Sequence, residues 1–200
     1  ALDDELQELD LRCSGHICAG EINVKSQGTS TLIVRISGDA GWTGIRISGE
    51  VKGTLSVAVV NDLSGEGHLL RCEDWVVGRD STLEFATLSA GGFLNKSDIR
   101  VNLTQTGSEL RGGIASNGHN SRHDDHHIEI THKSKHTYSS LVMHAACDDS
   151  SHSVGTGLLT ICEGAGGSDA GQVFRNLLLS EKARAEAIPE LEVLADDVKA

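Results

Sequence analysis

Short apolar segments recur at a nearly constant interval in the C-terminal part of the chain. Their first residues lie 14, 17, 17 and 16 residues apart, and connectors rich in Gly, Ser and Asp separate them. Leucine-rich and β-branched runs of about five residues, bounded by such connectors, predict β-strands. The five predicted strands are HIEIT (127–131), LVMHA (141–145), LLTIC (158–162), RNLLL (175–179) and LEVLA (191–195).

The recurrence itself predicts the architecture. A near-constant period is typical of one supersecondary unit that is stacked on itself, with a core that is continuous along the stack. The connectors are too short for the crossover of a dozen or more residues that joins the strands of a parallel α/β sheet. We therefore predict an all-β fold, a parallel β-helix or a close relative of one.

The first part of the chain also carries strand patterns between Gly-containing turns. We assign residues 1–21 to an N-terminal lead-in and residues 22–200 to one β-helix core domain, because no linker or change of composition marks a second domain. The further predicted strands are EINV, TLIVRIS, GIRIS, LSVAVV, HLLRC, LEFATL and DIRVNL.

Three segments allow a different local structure. Residues 2–10 place leucines at a spacing that fits either a short amphipathic helix or a lead-in strand. The Ser-Gly-acid triplets that begin at Ser37 and Ser48 lie eleven residues apart and predict a meander at the start of the core. The run SEKARAEA (180–187) fits either one helical turn or an Ala-rich connector that stops before Pro189.

The composition restricts both the core and the partners. Aromatic residues make up 3% of the chain, so Val, Ile, Leu and Ala must fill the core. With 17 basic and 29 acidic residues the net charge is −12, and without a basic stripe nucleic-acid binding is not expected. The five cysteines lack the spacing of a disulfide framework, which favours a reducing, cytoplasmic location. No apolar run is long enough to span a membrane.

Histidines are concentrated between residues 119 and 136, in the run HNSRHDDHHIEITHKSKH. Converging His and Asp side chains can bind zinc or iron, so one hypothesis is a metal-dependent enzyme on a β-helix that uses this His119–His136 cluster. The period of two along a strand places His126 and His132 on the apolar face and His127 on the opposite face. We therefore expect His132 to be an inward, hydrogen-bonded core residue.

Three side chains that could bind a metal ion lie at or just after the ends of successive predicted strands. His132, Cys147 and Cys162 lie 15 residues apart. If this interval is a full turn, the three side chains stack; if it is half a turn of a flattened helix, Cys147 faces the other two across the core. Thiolate and imidazole suit iron and iron–sulfur clusters, so the three are candidate metal ligands, although buried cysteines more often only pack. Cys13 and Cys18 form a weaker ligand pattern.

Signatures of the common enzyme classes are missing. The Gly-rich segment EGAGGSDAG has Asp169 where a dinucleotide-binding fingerprint needs Gly. There is neither a Walker lysine nor a G-x-S-x-G nucleophile elbow. The pattern therefore favours a protein that is not an enzyme.

A set of short motifs fills the last part of the chain: a Gly-led strand, a G-A turn, D-A-x-Q, N-L-L-L-S, a Pro before L-E-V, and A-D-D-V-K. With these motifs the chain resembles, over residues 99–200, the SufB/SufD family of iron–sulfur cluster assembly scaffolds, and SufD more than SufB. The matching positions are Gly157, Gly164, Ala165, Asp169, Ala170, Gln172, Asn176 to Ser180, Pro189, Leu191, Glu192 and Ala195 to Lys199, with Asp125, His132, Ser139 and Ser140 upstream.

The resemblance implies a right-handed, flattened parallel β-helix that serves as a non-catalytic scaffold subunit of the SUF machinery. It implies pairing with a SufB/SufD-type subunit, or with a second copy as a dimer. It also implies contact with a SufC-type ABC ATPase through a C-terminal segment that is expected to follow Ala200. No tightly bound cofactor is expected; iron or an iron–sulfur cluster would be held transiently in the assembled complex. The cluster-nucleating cysteine of SufB would correspond to a position near Phe174, which is no ligand.

The predicted partner interface is the last pair of strands. A β-helix that ends at a strand presents unpaired N–H and C=O groups, which can pair with a strand of another subunit unless a following segment covers them. A structural solenoid that pairs with itself is a further hypothesis. The interface residues are Arg175, Asn176, Leu177, Leu178, Leu179, Leu191, Glu192, Val193 and Leu194.

Overall fold

A computed structural model describes residues 1–200, and all of its regular secondary structure is β-strand. No part of it forms a helix with the length and hydropathy that crossing a membrane requires. The strands are β1 Leu2–Asp3, β2 Leu6–Cys13, β3 Ile17–Gln27, β4 Thr29–Gly38, β5 Trp42–Val51, β6 Thr54–Leu63, β7 His68–Val77, β8 Thr82–Ser89, β9 Leu94–Leu103, β10 Glu109–Gly118, β11 His123–His132, β12 Tyr138–Cys147, β13 His152–Ile161, β14 Asp169–Leu178 and β15 Arg184–Val193.

The chain winds as a coil, and its strands form two parallel sheets. Odd-numbered strands form an eight-stranded sheet and even-numbered strands a seven-stranded sheet, and each strand pairs with the one two positions away in the chain. Each turn therefore contributes one strand to each sheet, which is the architecture of a β-solenoid. Glu109 of β10 pairs with Tyr138 of β12, so a full turn here takes 29 residues and the 15-residue interval is half a turn. The predicted all-β, parallel β-helix is confirmed.

The period of two along each strand sorts the side chains between core and surface. In β11, Ile128 and Ile130 are fully buried, whereas His127 and Glu129 on the other face are partly exposed. Matching positions stack along the solenoid, because Ile128 pairs with Ile99 of β9. A single cluster of 32 buried residues, mostly Val, Ile and Leu, runs through the interior, which explains how the chain folds with so few aromatic residues.

The strands in the C-terminal part of the chain are twice as long as the sequence pattern predicts, and the pattern misses β10. Strands β11 to β15 span ten residues each, and the five-residue segments predicted there cover only the middle or the C-terminal part of each strand. The N-terminal halves, such as HDDH in β11 and YSS in β12, are polar. Polar residues can face inward here because they hydrogen-bond to each other inside the solenoid.

Two further local predictions are wrong. Ser37 lies near the end of β4 and Ser48 lies inside β5, and both strands pair only in parallel, so the chain has no meander there. Residues 180–187 form neither a helical turn nor a connector that stops before Pro189, because β15 begins at Arg184 and includes the proline. A terminal strand tolerates a proline, which needs no N–H partner on its free side. Of the two predictions for residues 2–10, the strand is correct.

The close stacking predicts that two glycines of β5 respond differently to the same substitution. A Cβ at Gly49 would lie 2.3 Å from an atom of the Trp75 ring, whereas a Cβ at Gly44 would meet nothing within 4 Å. We expect Gly49→Ala to lower the free energy of unfolding by about 1–3 kcal/mol through overpacking. Gly44→Ala should change it by less than about 0.5 kcal/mol. Urea denaturation of both variants measures the difference, and equal effects would contradict the packing described.

Candidate functional site

The last turn of the solenoid exposes apolar side chains that earlier turns bury. Leu178 pairs with the fully buried Cys147, and Leu191 pairs with Leu159, which is 1% exposed. Leu178 and Leu191 themselves are 52% and 48% exposed. They occupy inward positions, but no further turn packs against them. We call the exposed residues at the C-terminal ends of β14 and β15, and those directly after these ends, the terminal patch; its apolar members are Leu177, Leu178, Leu179, Leu191, Val193 and Leu194.

The structure places all nine predicted interface residues on these two strands or directly after them. Each of the nine is exposed, including Arg175 and Asn176 of β14 and Glu192 of β15. Their use as a partner interface stays a prediction, because a single chain shows exposure and not occupancy.

Both terminal strands pair on one side only. β14 pairs with β12, and β15 pairs with β13. The final residues of the chain cover only the start of the β14 edge, where the Ala170 N–H donates to the Lys199 carbonyl oxygen at 2.9 Å. Most of the β14 and β15 edges therefore present unpaired backbone groups, which are able to accept an added strand.

A second feature is a buried polar network in the middle turns. The guanidinium of Arg122 donates to both carboxylate oxygens of Asp124, at 2.8 and 2.9 Å, and the Ser89 hydroxyl donates to the same carboxylate at 2.7 Å. Both ionic side chains are almost fully buried. Burial alone would raise the pKa of Asp124, but the hydrogen bonds and charge of Arg122 outweigh it and hold that pKa below its ordinary value.

A similar ion pair lies on β7, two turns further from the terminal patch. Arg71 Nε lies 3.1 Å from Glu73 Oε1, and the Trp75 indole N–H donates to the other carboxylate oxygen at 2.8 Å. The Arg71 guanidinium also donates to the Thr87 hydroxyl of the opposite sheet at 3.0 Å. These contacts connect the two sheets through the core, and removing one partner of a buried pair would leave an uncompensated charge.

The buried side chain of His126 belongs to the same polar interior and is neutral. Its Nδ1 lies 2.6 Å from the Ser97 hydroxyl and its Nε2 lies 2.9 Å from the Ser116 hydroxyl. Burial lowers the pKa of His126 to about 4, and the nearby Asp124 carboxylate only partly opposes this. At neutral pH the imidazole is therefore uncharged, with one ring nitrogen donating and the other accepting.

His132 occupies the inward, hydrogen-bonded position that the sequence predicts. Its Nδ1 lies 2.7 Å from the Thr137 hydroxyl and its Nε2 lies 2.8 Å from the Ser139 hydroxyl. Burial lowers the pKa of His132 to about 4. Both ring nitrogens are engaged by hydroxyl groups, so neither is free to ligate a metal without breaking a hydrogen bond.

The structure does not assemble the candidate ligands His132, Cys147 and Cys162 into one site. Cys147 lies in the other sheet, where it packs against Ala145 and Ala183. Cys162 comes one residue after Ile161, the register partner of His132, and is partly exposed while His132 points into the core. No group of three or more His, Cys, Asp or Glu side chains is arranged to hold a metal ion.

The His119–His136 cluster is spread over both faces of β11 and over the loops before and after this strand. His126 and His132 point inward, His123 and His127 point outward, and His136 has a left-handed backbone in the following turn, with φ of 56°. The hypothesis of a metal-dependent enzyme therefore finds no convergent set of ligands here.

Sequence reasoning missed the two buried ion pairs. A signal was present: Arg71 and Glu73 share the period-two face of Leu69 and Val77, which are both fully buried. A charged pair on an apolar face indicates buried partners more than a solvated surface.

The lowered pKa values of His126 and His132 predict a loss of stability in acid. Their ordinary pKa is 6.5 and their folded value is about 4, so between these pH values the unfolded chain binds more protons than the folded one. The free energy of unfolding therefore falls as the pH falls through this window, by roughly 3 kcal/mol for each histidine.

Urea midpoints at about pH 7 and about pH 4.5 measure this dependence. His126→Gln should remove its share of the pH dependence, whereas His127→Gln, on the outer face of the same strand, should leave it unchanged. The same pH dependence in all three proteins would contradict the assignment of a buried neutral imidazole.

Comparisons with known proteins agree with the fold and with the motifs. Residues 21–200 match the family described as SUF system FeS cluster assembly, SufBD core domain. The chain is also similar to the iron–sulfur cluster assembly protein SufD of Bacillus subtilis (strain 168), with 33% identity over 127 residues. That alignment covers 62% of this chain and 28% of the relative, so the chain spans a minor part of the relative's length.

The family match extends over the whole solenoid from β3 onward and includes both the buried polar network and the terminal patch. The chain therefore belongs to the SufB/SufD core-domain family of the SUF iron–sulfur cluster assembly system.

Proposed function

We propose that this chain is a non-catalytic scaffold that pairs with a SufB/SufD-type subunit through its terminal patch. The observation that carries the proposal is the exposure of inward positions on the last turn: Leu178, Leu191 and Val193 stand where earlier turns bury Cys147, Leu159 and Ile161. Strands added at the free edges of β14 and β15 would extend both sheets, as in recognition by strand addition.

The chemistry of the patch fits a protein partner. It combines leucine and valine side chains with free backbone edges, and charged residues lie at its rim, with Arg175 on β14 and Glu190 and Glu192 on β15. An apolar centre with a polar rim is the usual anatomy of a specific interface. A partner with the same fold supplies both a matching strand spacing and an apolar last turn.

Iron or an iron–sulfur cluster enters this proposal as cargo of the assembled complex. The inward His132 and Cys147 lie in opposite sheets, and the imidazole of His132 is occupied by two hydroxyl groups. Ligands for the cargo would therefore be supplied at the contact between subunits. A SufC-type ABC ATPase, bound through a further segment of the protein, would supply the motion that opens or closes that contact.

The proposal also includes a cytoplasmic location. All five cysteines are free thiols, which suits a compartment that keeps thiols reduced.

Charge placed in the terminal patch should weaken the pairing. In the full-length protein, Leu178→Glu together with Leu191→Glu should lower the affinity for a SufB/SufD-type subunit by at least about thirty-fold, because a central apolar contact of an interface contributes about 2 kcal/mol or more. Calorimetric titration of the purified subunits, with and without the SufC-type ATPase, measures the change.

Leu70→Glu serves as the matched control, because Leu70 is 43% exposed on the outer face of β7, far from the last turn. It should leave the affinity unchanged. Equal loss in both variants, or no binding by the wild-type protein, would contradict the interface. If a following segment of the same chain covers the patch, the double variant will instead destabilise the free protein and leave the affinity intact. Light scattering of the free protein tests the remaining hypothesis, a solenoid that pairs with itself.

A further inference from the structure

Two cysteines are in contact at the corner between β2 and β3, in the first turns of the solenoid. Cys13 is the last residue of β2 and Cys18 is the second residue of β3, and their Sγ atoms lie 2.7 Å apart. This separation is well below an ordinary contact between two sulfur atoms and about 0.7 Å above the length of a disulfide bond. No other pair among the five cysteines has its sulfur atoms in contact.

The backbone of the next turn holds the two sulfurs in place. The carbonyl oxygen of Cys13 accepts hydrogen bonds from the N–H groups of Asp39 and Ala40, at 2.9 and 3.2 Å. On the other side of the corner, the carbonyl oxygen of His16 accepts the N–H of Trp42 at 3.0 Å. The corner is therefore fixed on both sides of the pair, so little conformational freedom remains to be lost when a bond forms.

The position of Gly38 shows how tightly the next turn lies on this corner. Its φ is +115°, and a Cβ there would lie 2.0 Å from the carbonyl oxygen of Cys13. Only glycine allows this approach. The backbone at Cys13 therefore has no room to move away from Cys18.

The two thiols differ in their exposure. Cys13 is 2% exposed, whereas Cys18 is partly exposed at the start of β3. Burial, together with the hydrogen bond between the two thiols, raises the pKa of Cys13 to about 11. Cys13 is therefore a protonated thiol at neutral pH, and the more accessible Cys18 sulfur is the one that meets a reagent from solution first.

We propose that Cys13 and Cys18 form a reversible dithiol–disulfide pair, which closes the β2–β3 corner covalently under oxidising conditions. The oxidant is a small-molecule disulfide of the glutathione class. The Cys18 thiolate attacks it and releases one thiol, which leaves a mixed disulfide on Cys18. The Cys13 sulfur, after losing its proton, attacks the Cys18 sulfur and releases the second thiol. In total, two protein thiols and one small disulfide give one protein disulfide and two small thiols, and excess thiol reverses the reaction.

Trypsin provides a direct readout, because cleavage after Arg12 and Lys25 releases the peptide 13–25, CSGHICAGEINVK, with both cysteines. The full-length protein is equilibrated in buffers of fixed reduced and varied oxidised glutathione, quenched with acid, alkylated and digested. The internal disulfide appears as a peptide that lacks two hydrogen atoms and carries no alkyl group. Cys72, exposed on the outer face of β7 and alone in the peptide 72–79, is the internal reference for an unpaired cysteine.

We expect the internal disulfide to reach half-formation at an oxidised-glutathione concentration at least about tenfold lower than the one that half-modifies Cys72. Added thiol should restore the alkylated peptide. In Cys18→Ser the disulfide should disappear, whereas Cys72→Ser should leave it unchanged.

Three results in the wild-type protein would each overturn the proposal: separate glutathione adducts on Cys13 and Cys18, cross-linking of either cysteine to another molecule, or an unmodified dithiol peptide where Cys72 is fully modified. Because the readout is a covalent product in the wild-type protein, it does not depend on whether the protein binds a SUF partner, and a failure here leaves the proposed interface standing.

Discussion

The structure depends on the in-register, parallel backbone ladder between strands that are one full turn apart. Fourteen of the fifteen strands are six residues or longer, and β4 to β13 pair with a neighbour on each side. This ladder lets short side chains build a core, because each residue packs on its counterpart from the turn before. Ile99 on Ile128, and Val101 on Ile130, are examples. A fold of this kind is stable along its length and is open to addition only at its ends.

The same ladder accounts for the polar interior. A charged side chain inside a two-sheet solenoid needs a partner of opposite charge nearby, and each of the two buried arginines has one. Arg71 meets Glu73, and Arg122 meets Asp124, while serine hydroxyls flank the buried His126. Buried pairs of this kind are weak sources of stability. The hydrogen bonds of Ser89 with Asp124 and of Ser97 with His126 join side chains of different turns, and we infer that they help to keep those turns in one register.

The sequence alone was sufficient for the architecture and for the location of the terminal patch. Recurring apolar runs such as LLTIC and RNLLL indicated stacked strands, and exposed leucines follow from a terminal strand such as β14. It did not predict the length of the strands or the polar contacts inside the solenoid. The polar half of β11 gives no apolar signal, and the partners of Asp124 lie two residues away in Arg122 and a full turn away in Ser89. Contacts across a full turn cannot be read from a local pattern. The contact of Cys13 with Cys18 likewise needed the corner geometry.

We propose that the free edges of β14 and β15 become paired when this chain binds a SufB/SufD-type subunit. Backbone amide hydrogen exchange in the full-length protein, free and bound to a SufB/SufD-type subunit, measures this strand by strand. Amides of β14 and β15 should exchange rapidly in the free protein and become strongly protected in the complex, while those of β9 and β11 should stay protected in both. Terminal-strand amides that are already protected in the free protein, or that gain no protection in the complex, would contradict it.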